Sequence, residues 1–174
     1  MQSWLAKKVI SYVMGRTRVG DVRPTLLLDA PDVQLTFPGQ SSWSGVFKGK
    51  STHARWLARF AAAGIQIFPD ELVARGMPWN TTVCVRGHDF LCDDDGKLVY
   101  ENRYVIWGRL AWGRIKELEV YEDTHKANQL DAYLAEHRPE LVTPEPARPD
   151  RSPRRRGARA ADSIAPRRRA TGRG

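Results

Sequence analysis

The sequence predicts an α+β fold, an antiparallel sheet with helices laid over one face, and three observations carry that prediction. Lys97 to Thr124 reads as two long strands joined at Trp112-Gly113, with β-branched and aromatic residues recurring through both arms. Helical periodicities occupy the chain before that ribbon. The strands then follow one another through hairpin-like connections rather than alternating with helices, which argues against a doubly wound sheet.

In chain order, Ser3 is a candidate cap for a helix whose apolar positions Trp4, Leu5, Val9, Tyr12 and Val13 should lie on the sheet, with Gly15 as its stop. Gly20-Asp21 offers a second helix start, with Pro24 tolerated in the first turn and Leu26 to Leu28 following. Asp32 to Phe37 alternates and ends at Pro38-Gly39, so it reads as a strand, and Trp43 to Lys48 reads as an irregular arm beside it. Ser51 or Thr52 caps a third helix, with Trp56, Leu57, Phe60 and Ala61 on one side and Gly64 as its C-cap.

Ile65 to Ala74 is expected to be one strand bent at Pro69-Asp70, because proline cannot donate to a ladder. Trp79 to Phe90 is the next strand, Asp93-Asp94-Asp95-Gly96 the turn after it, and His125 to His137 a last helix. Composition sets the boundary that follows. Residues 138 to 174 hold 11 Arg and 4 acids, whereas residues 1 to 137 hold 17 Lys+Arg and 16 acids. We therefore expect a folded domain over 1 to 137 and a disordered Pro/Arg-rich tail over 138 to 174, too poor in large apolar residues to build a core. The tail reads either as a solvated extension or as a weak, salt-sensitive contact to nucleic acid or another polyanion.

Cys84 and Cys92 have no CxxC partner and no histidine at finger spacing, so neither a disulfide framework nor a metal site is expected. No apolar run reaches the roughly 18 residues of a spanning helix. The expectation is a cytoplasmic protein without membrane contact. Gly45-Val46-Phe47-Lys48-Gly49-Lys50-Ser51 looks like a phosphate loop, but only three residues separate its glycines where four are needed, so no nucleotide or other cofactor is expected.

GDVRPTLLLDAPDVQLTFPG, then GVFKGK before a helix, then YENRYV, WGRI and YEDT resemble the SnoaL-like polyketide cyclases of the nuclear transport factor 2-like (NTF2-like) superfamily, in the right order over residues 3 to 136. The resemblance implies a cone: three N-terminal helices over a strongly bent, mostly antiparallel sheet, enclosing a pocket for a small hydrophobic molecule, in a protein that forms homodimers. It implies cofactor-free acid-base chemistry on a carbonyl compound, such as isomerisation, cyclisation or hydration. Because this fold hosts many activities, a non-catalytic ligand-binding or dimeric scaffold module is the alternative.

Such chemistry needs an acid or base in a water-poor cavity. On the last strand the period of two places Leu118, Val120 and Glu122 on one face and Glu119, Tyr121 and Asp123 on the other. By similarity to the family's epoxide hydrolases, Arg103 takes the place of their arginine, while Val105 and Val120 stand where their two acids belong. Arg103 is thus the candidate oxyanion or carboxylate binder, with Glu101, Glu122 or Asp123 as the acid-base group. Thr36, Trp107, Tyr104 and His88 are the candidate substrate contacts. The bland readings are a cross-strand ion pair for Arg103, a helix cap for Asp123 and packing for the aromatic residues.

Overall fold

The computed structural model describes residues 2–142. It contains a curved six-stranded sheet in the order β2-β1-β6-β5-β4-β3. The strands are β1 (Asp29–Phe37), β2 (Gly45–Lys48), β3 (Gln66–Met77), β4 (Asn80–Cys92), β5 (Leu98–Ala111) and β6 (Arg114–Glu122). Only β1 and β6 run parallel; every other pairing is antiparallel. Helices α1 (Gln2–Arg18), α2 (Arg23–Leu28) and α3 (Lys50–Ala63) precede the long strands, and α4 (Thr124–His137) follows them.

The α1 helix packs through a different face from the one its large apolar residues suggest. Trp4, Leu5, Val9 and Tyr12 are exposed, while Val13, Met14 and Thr17 are buried and Ala6 and Ile10 pack beside them. Apolar residues ring most of this helix, so periodicity establishes the helix without choosing its buried side. Gly15 does not stop it, and it already includes Ser3.

Two further boundaries moved. The first strand begins at Asp29, so Pro31 lies within it. Gly49, at φ 85°, caps α3 ahead of Ser51 and Thr52, with its carbonyl accepting from the Thr52 and His53 amides. Other expectations hold. Gly64 closes α3 in the left-handed conformation at φ 78°, the β3–β4 register slips between Pro69 and Glu71, and Trp112 (φ 53°) with Gly113 (φ 74°) forms the two-residue β5–β6 turn.

Past His137 the chain stays packed as far as Val142. Leu141 is buried in the same core cluster as Phe37, Tyr100, Leu130 and Leu134. Arg138 donates to the Ala62 carbonyl at 2.7 Å, and Arg59, stacked over Trp43 at 3.7 Å, donates to the Leu141 carbonyl at 2.5 Å. The packed part thus passes residue 137. The two basic clusters, and with them the polyanion contact, lie outside the described residues. Among the described residues no helix is long and apolar enough to cross a membrane.

Candidate functional site

Curvature of the sheet under α1 and α3 leaves a cavity of about 150 Å³. Most of its wall is apolar: Ile10, Val13 and Met14 from α1, Trp56, Leu57 and Phe60 from α3, and inward residues of β1 and β3 to β6. Two groups of ionisable side chains interrupt that wall.

The first group is Asp29 with His53. His53 lies one turn before Leu57 on the inner side of α3, and Asp29 is the first residue of β1, buried with Ala30 ahead of the register irregularity that precedes Val33, Leu35 and Phe37. His53 Nδ1 stands 2.9 Å from Asp29 Oδ2, with side chains 1% and 0% exposed. With Nδ1–H donating to the Asp29 carboxylate, the tautomer is fixed and Nε2 is left as the nitrogen able to accept a proton at the cavity. Asp29 Oδ1 has no hydrogen-bond partner among the described residues.

The second group approaches from the other end of β6. Asp29 is registered with Ile115 near the start of that strand, whereas Glu122 closes it and pairs in register with Tyr104. Tyr104 is registered in turn with Gly87, two residues before Asp89 on the same face of β4. Gly87 makes room for the phenol. A Cβ there would sit 2.5 Å from the Tyr104 hydroxyl oxygen and 2.2 Å from the Phe68 carbonyl.

A hydrogen-bonded layer positions this group. Tyr100 donates to Asp89 Oδ2 at 3.5 Å; Asn102 donates to the Tyr100 oxygen at 3.1 Å and to the Asp123 carbonyl at 3.0 Å. Asn102 Oδ1 accepts the Arg103 amide at 2.8 Å, so its polar atoms are satisfied. Burial pushes the Asp89 carboxyl up to about 6. Burial, then the charge of Asp89, pushes Glu122 up to about 8. The phenols of Tyr100 and Tyr104 are raised by the same two causes. Two carboxyls raised toward neutrality therefore stand beside a phenol, so a donor and an acceptor face one apolar space.

Of the site residues expected from sequence, Tyr104 and Glu122 line the cavity. Arg103, Glu101 and Trp107 are exposed on the opposite face of β5, because the buried phase of that strand is Tyr100, Asn102, Tyr104. Assigning Arg103 to the pocket is corrected on that ground. His88 also faces outward, stacked on Phe68 at 5.3 Å and 3.1 Å from Asp70. Thr36 is half-buried on β1, out of phase with Leu35 and Phe37, which line the cavity. Asp123 caps α4, accepting from the His125 and Lys126 amides. The sequence reading did not nominate Asp29, His53 or Asp89. Two of them carried a signal: Asp89 shares its phase with Val83, Val85 and Leu91, and His53 its helical side with Leu57 and Phe60, whereas an irregularity in β1 separates Asp29 from the alternation that begins at Val33.

No family model and no curated protein matches the chain. Solved structures do. An NTF2-like protein of unknown function from Burkholderia pseudomallei superposes with a TM-score of 0.57 at 20% identity, covering 79% of this chain and 97% of that one. This chain has the NTF2-like fold. A protein named as a SnoaL-like polyketide cyclase, from Jannaschia sp. CCS1, matches this NTF2-like chain with a TM-score of 0.57 at 13% identity, over 76% of this chain and 91% of that one. TerC, co-crystallised with polyporic acid, matches with a TM-score of 0.59 at 21% identity, over 71% and 95%.

Proposed function

We propose that this NTF2-like protein catalyses cofactor-free proton transfer on a small, largely apolar carbonyl compound held in the cavity. The observation that carries the proposal is the convergence of two buried ionisable groups, Asp29–His53 and Asp89–Tyr104–Glu122, on one apolar cavity. His53 Nε2 takes a proton from the carbon next to the carbonyl while Asp29 holds the ring and offsets the imidazolium charge. Glu122 passes its proton to the carbonyl oxygen and Tyr104 donates a hydrogen bond to it, giving an enol. Where the compound carries a β,γ double bond the product of these transfers is a dienol, and return of the proton from His53 to the γ carbon with the enol proton going back to Glu122 gives the α,β-unsaturated isomer, no atom being gained or lost.

The test is exchange of the α-hydrogens of 2-indanone in D₂O, followed by NMR. The native protein is expected to accelerate exchange over buffer, and His53→Ala to lose at least about 100-fold of that acceleration, the scale of one general base. Exchange at the buffer rate with the native protein would sink the catalytic reading and leave the alternative, a binding module; that TerC was crystallised with polyporic acid supports a small-molecule site on this fold in either case.

We further propose a homodimer formed through the outer face of the sheet. Val73, Cys84 and Trp107 stand in register across β3, β4 and β5, with Val105 beside Tyr121 next to them. Of these, Val73, Trp107 and Tyr121 are each about half exposed, at 50%, 51% and 50%. A contiguous exposed apolar patch of that kind supports an interface there. Sedimentation velocity should give a dimer that Trp107→Lys converts to monomer; a native monomer throughout the micromolar range would refute it.

A further inference from the structure

We infer that the Asp89–Tyr104 end of the cavity is a binding site for an uncharged hydroxyl, so that the ligand is a phenol, an enol or an alcohol and not a carboxylate or phosphate. The inference deepens the function proposed above and rests on it for the identity of the site. Asp89 and Tyr104 are each only 4% exposed, and both line the cavity. Asp89 Oδ1 and the Tyr104 hydroxyl have no hydrogen-bond partner among the described residues, and they do not bond each other. One is an acceptor and the other a donor, and burying either without a partner is unfavourable.

A ligand hydroxyl satisfies both at once: its O–H donates to Asp89 Oδ1 and its oxygen accepts from the Tyr104 O–H. The groups behind them are not free to turn and do so themselves. Asp89 Oδ2 is engaged by Tyr100, Tyr100 by Asn102, and Asn102 by the backbone on both of its polar atoms. Charge narrows the class further. At this end the cavity wall has the Asp89 carboxylate and neither lysine nor arginine, and His53, which also lines the cavity, is paired with Asp29, so an anionic group beside Asp89 would meet like charge without a neighbouring counterion. An enol is also the neutral species that the proposed proton transfer would form.

Phenol, toluene and benzoate, all built on a six-membered ring, are the probes, since a cavity of about 150 Å³ accepts benzene. Their affinities for the full chain would be measured at pH 7.5 by ligand-observed NMR. Phenol is expected to bind at least about tenfold more tightly than toluene, and benzoate more weakly than either. Tyr104→Phe and Asp89→Asn, both close in shape to the native side chains, should each bring phenol down to the affinity of toluene, with circular dichroism confirming folding. Equal affinity for phenol and toluene in the native protein would overturn the hydroxyl site, and preference for benzoate would overturn the charge argument. Deuterium exchange separates the two proposals. Phenol selectivity without exchange leaves a binding site that does not turn over; exchange without selectivity leaves the catalytic reading and removes this one.

Discussion

Ionisable side chains on the two faces of the same strands are handled in opposite ways. Outside, Glu71 meets Arg86 at 3.1 Å, Asp70 meets His88 at 3.1 Å and Glu117 meets Arg109, with every one of these side chains at least 40% exposed. Inside, Asp89, Tyr104 and Glu122 have no cation beside them in the cavity wall, and Asp29 has His53 alone. Outer pairs cost little to form or lose, because water substitutes for either partner. Inner groups have no such substitute. Keeping them works against stability unless they do something, which is why perturbed carboxyls in a cavity point to function.

The largest contrast should come from removing one partner on each face. Asp29→Ala strands His53 in an interior where its Nδ1 has lost its acceptor, and we expect a loss of about 3 kcal/mol, a Tm lower by about 10 °C. Glu71→Ala on the outer face, with both substitutions made in the monomeric Trp107→Lys chain so that no partner covers that face, should change stability by less than about 0.5 kcal/mol. Thermal melts of both at one pH decide it. Equal effects would mean that the Asp29–His53 contact contributes no more than a surface pair.

An effect of similar size follows from the raised carboxyls, with Glu122 near 8 against an ordinary 4.5 and Asp89 near 6 against 3.8. A raised carboxyl pKa means that the folded state holds the proton more tightly than the unfolded chain. Its stabilising contribution is complete below the unfolded values and is lost as pH rises through the folded ones. The groups acting on this pair are His88 from β4, Tyr100 and Tyr104 from β5, and Lys126 and Asp131 from α4, together with Asp123. Stability should fall between pH 5 and pH 9 by on the order of 3 kcal/mol. Glu122→Gln should flatten most of that fall and exceed the native protein in Tm at pH 9. An unchanged slope in the variant would place Glu122 in water rather than in the cavity.

How much of this was legible in the sequence depends on how many physical signals spoke at each position. The β5–β6 ribbon was readable because propensity, alternation and turn chemistry agree at Val99 to Tyr121, and the Pro69 bulge because proline has no N–H to give. The phase of β5 was harder. Tyr100, Asn102 and Tyr104 alternate with Glu101, Arg103 and Val105, so both faces mix polar with apolar residues and alternation alone does not say which is inside. His53 and Asp29 were hidden by distance: 24 residues separate them, and only the folding of α3 across the start of β1 makes them a pair. The face of α1 was lost to its excess of exposed tryptophan, leucine and tyrosine.

Arg103→Ala should have the smallest effect, and it is the sharpest test of the two-face comparison because by sequence Arg103 is the natural oxyanion binder. Its backbone N–H donates to Asn102 Oδ1, a bond that alanine keeps. Its side chain is on the exposed phase of β5, beside Glu101 and Val105 rather than Tyr104. Stability should therefore stay within about 0.5 kcal/mol of the native value, with phenol affinity and the rate of 2-indanone exchange unchanged. A tenfold loss of either would mean that the outer face reaches the ligand after all. In this fold that route would have to run through a second copy of the chain, so the same variant examined by sedimentation would show whether Arg103 acts across the dimer or not at all.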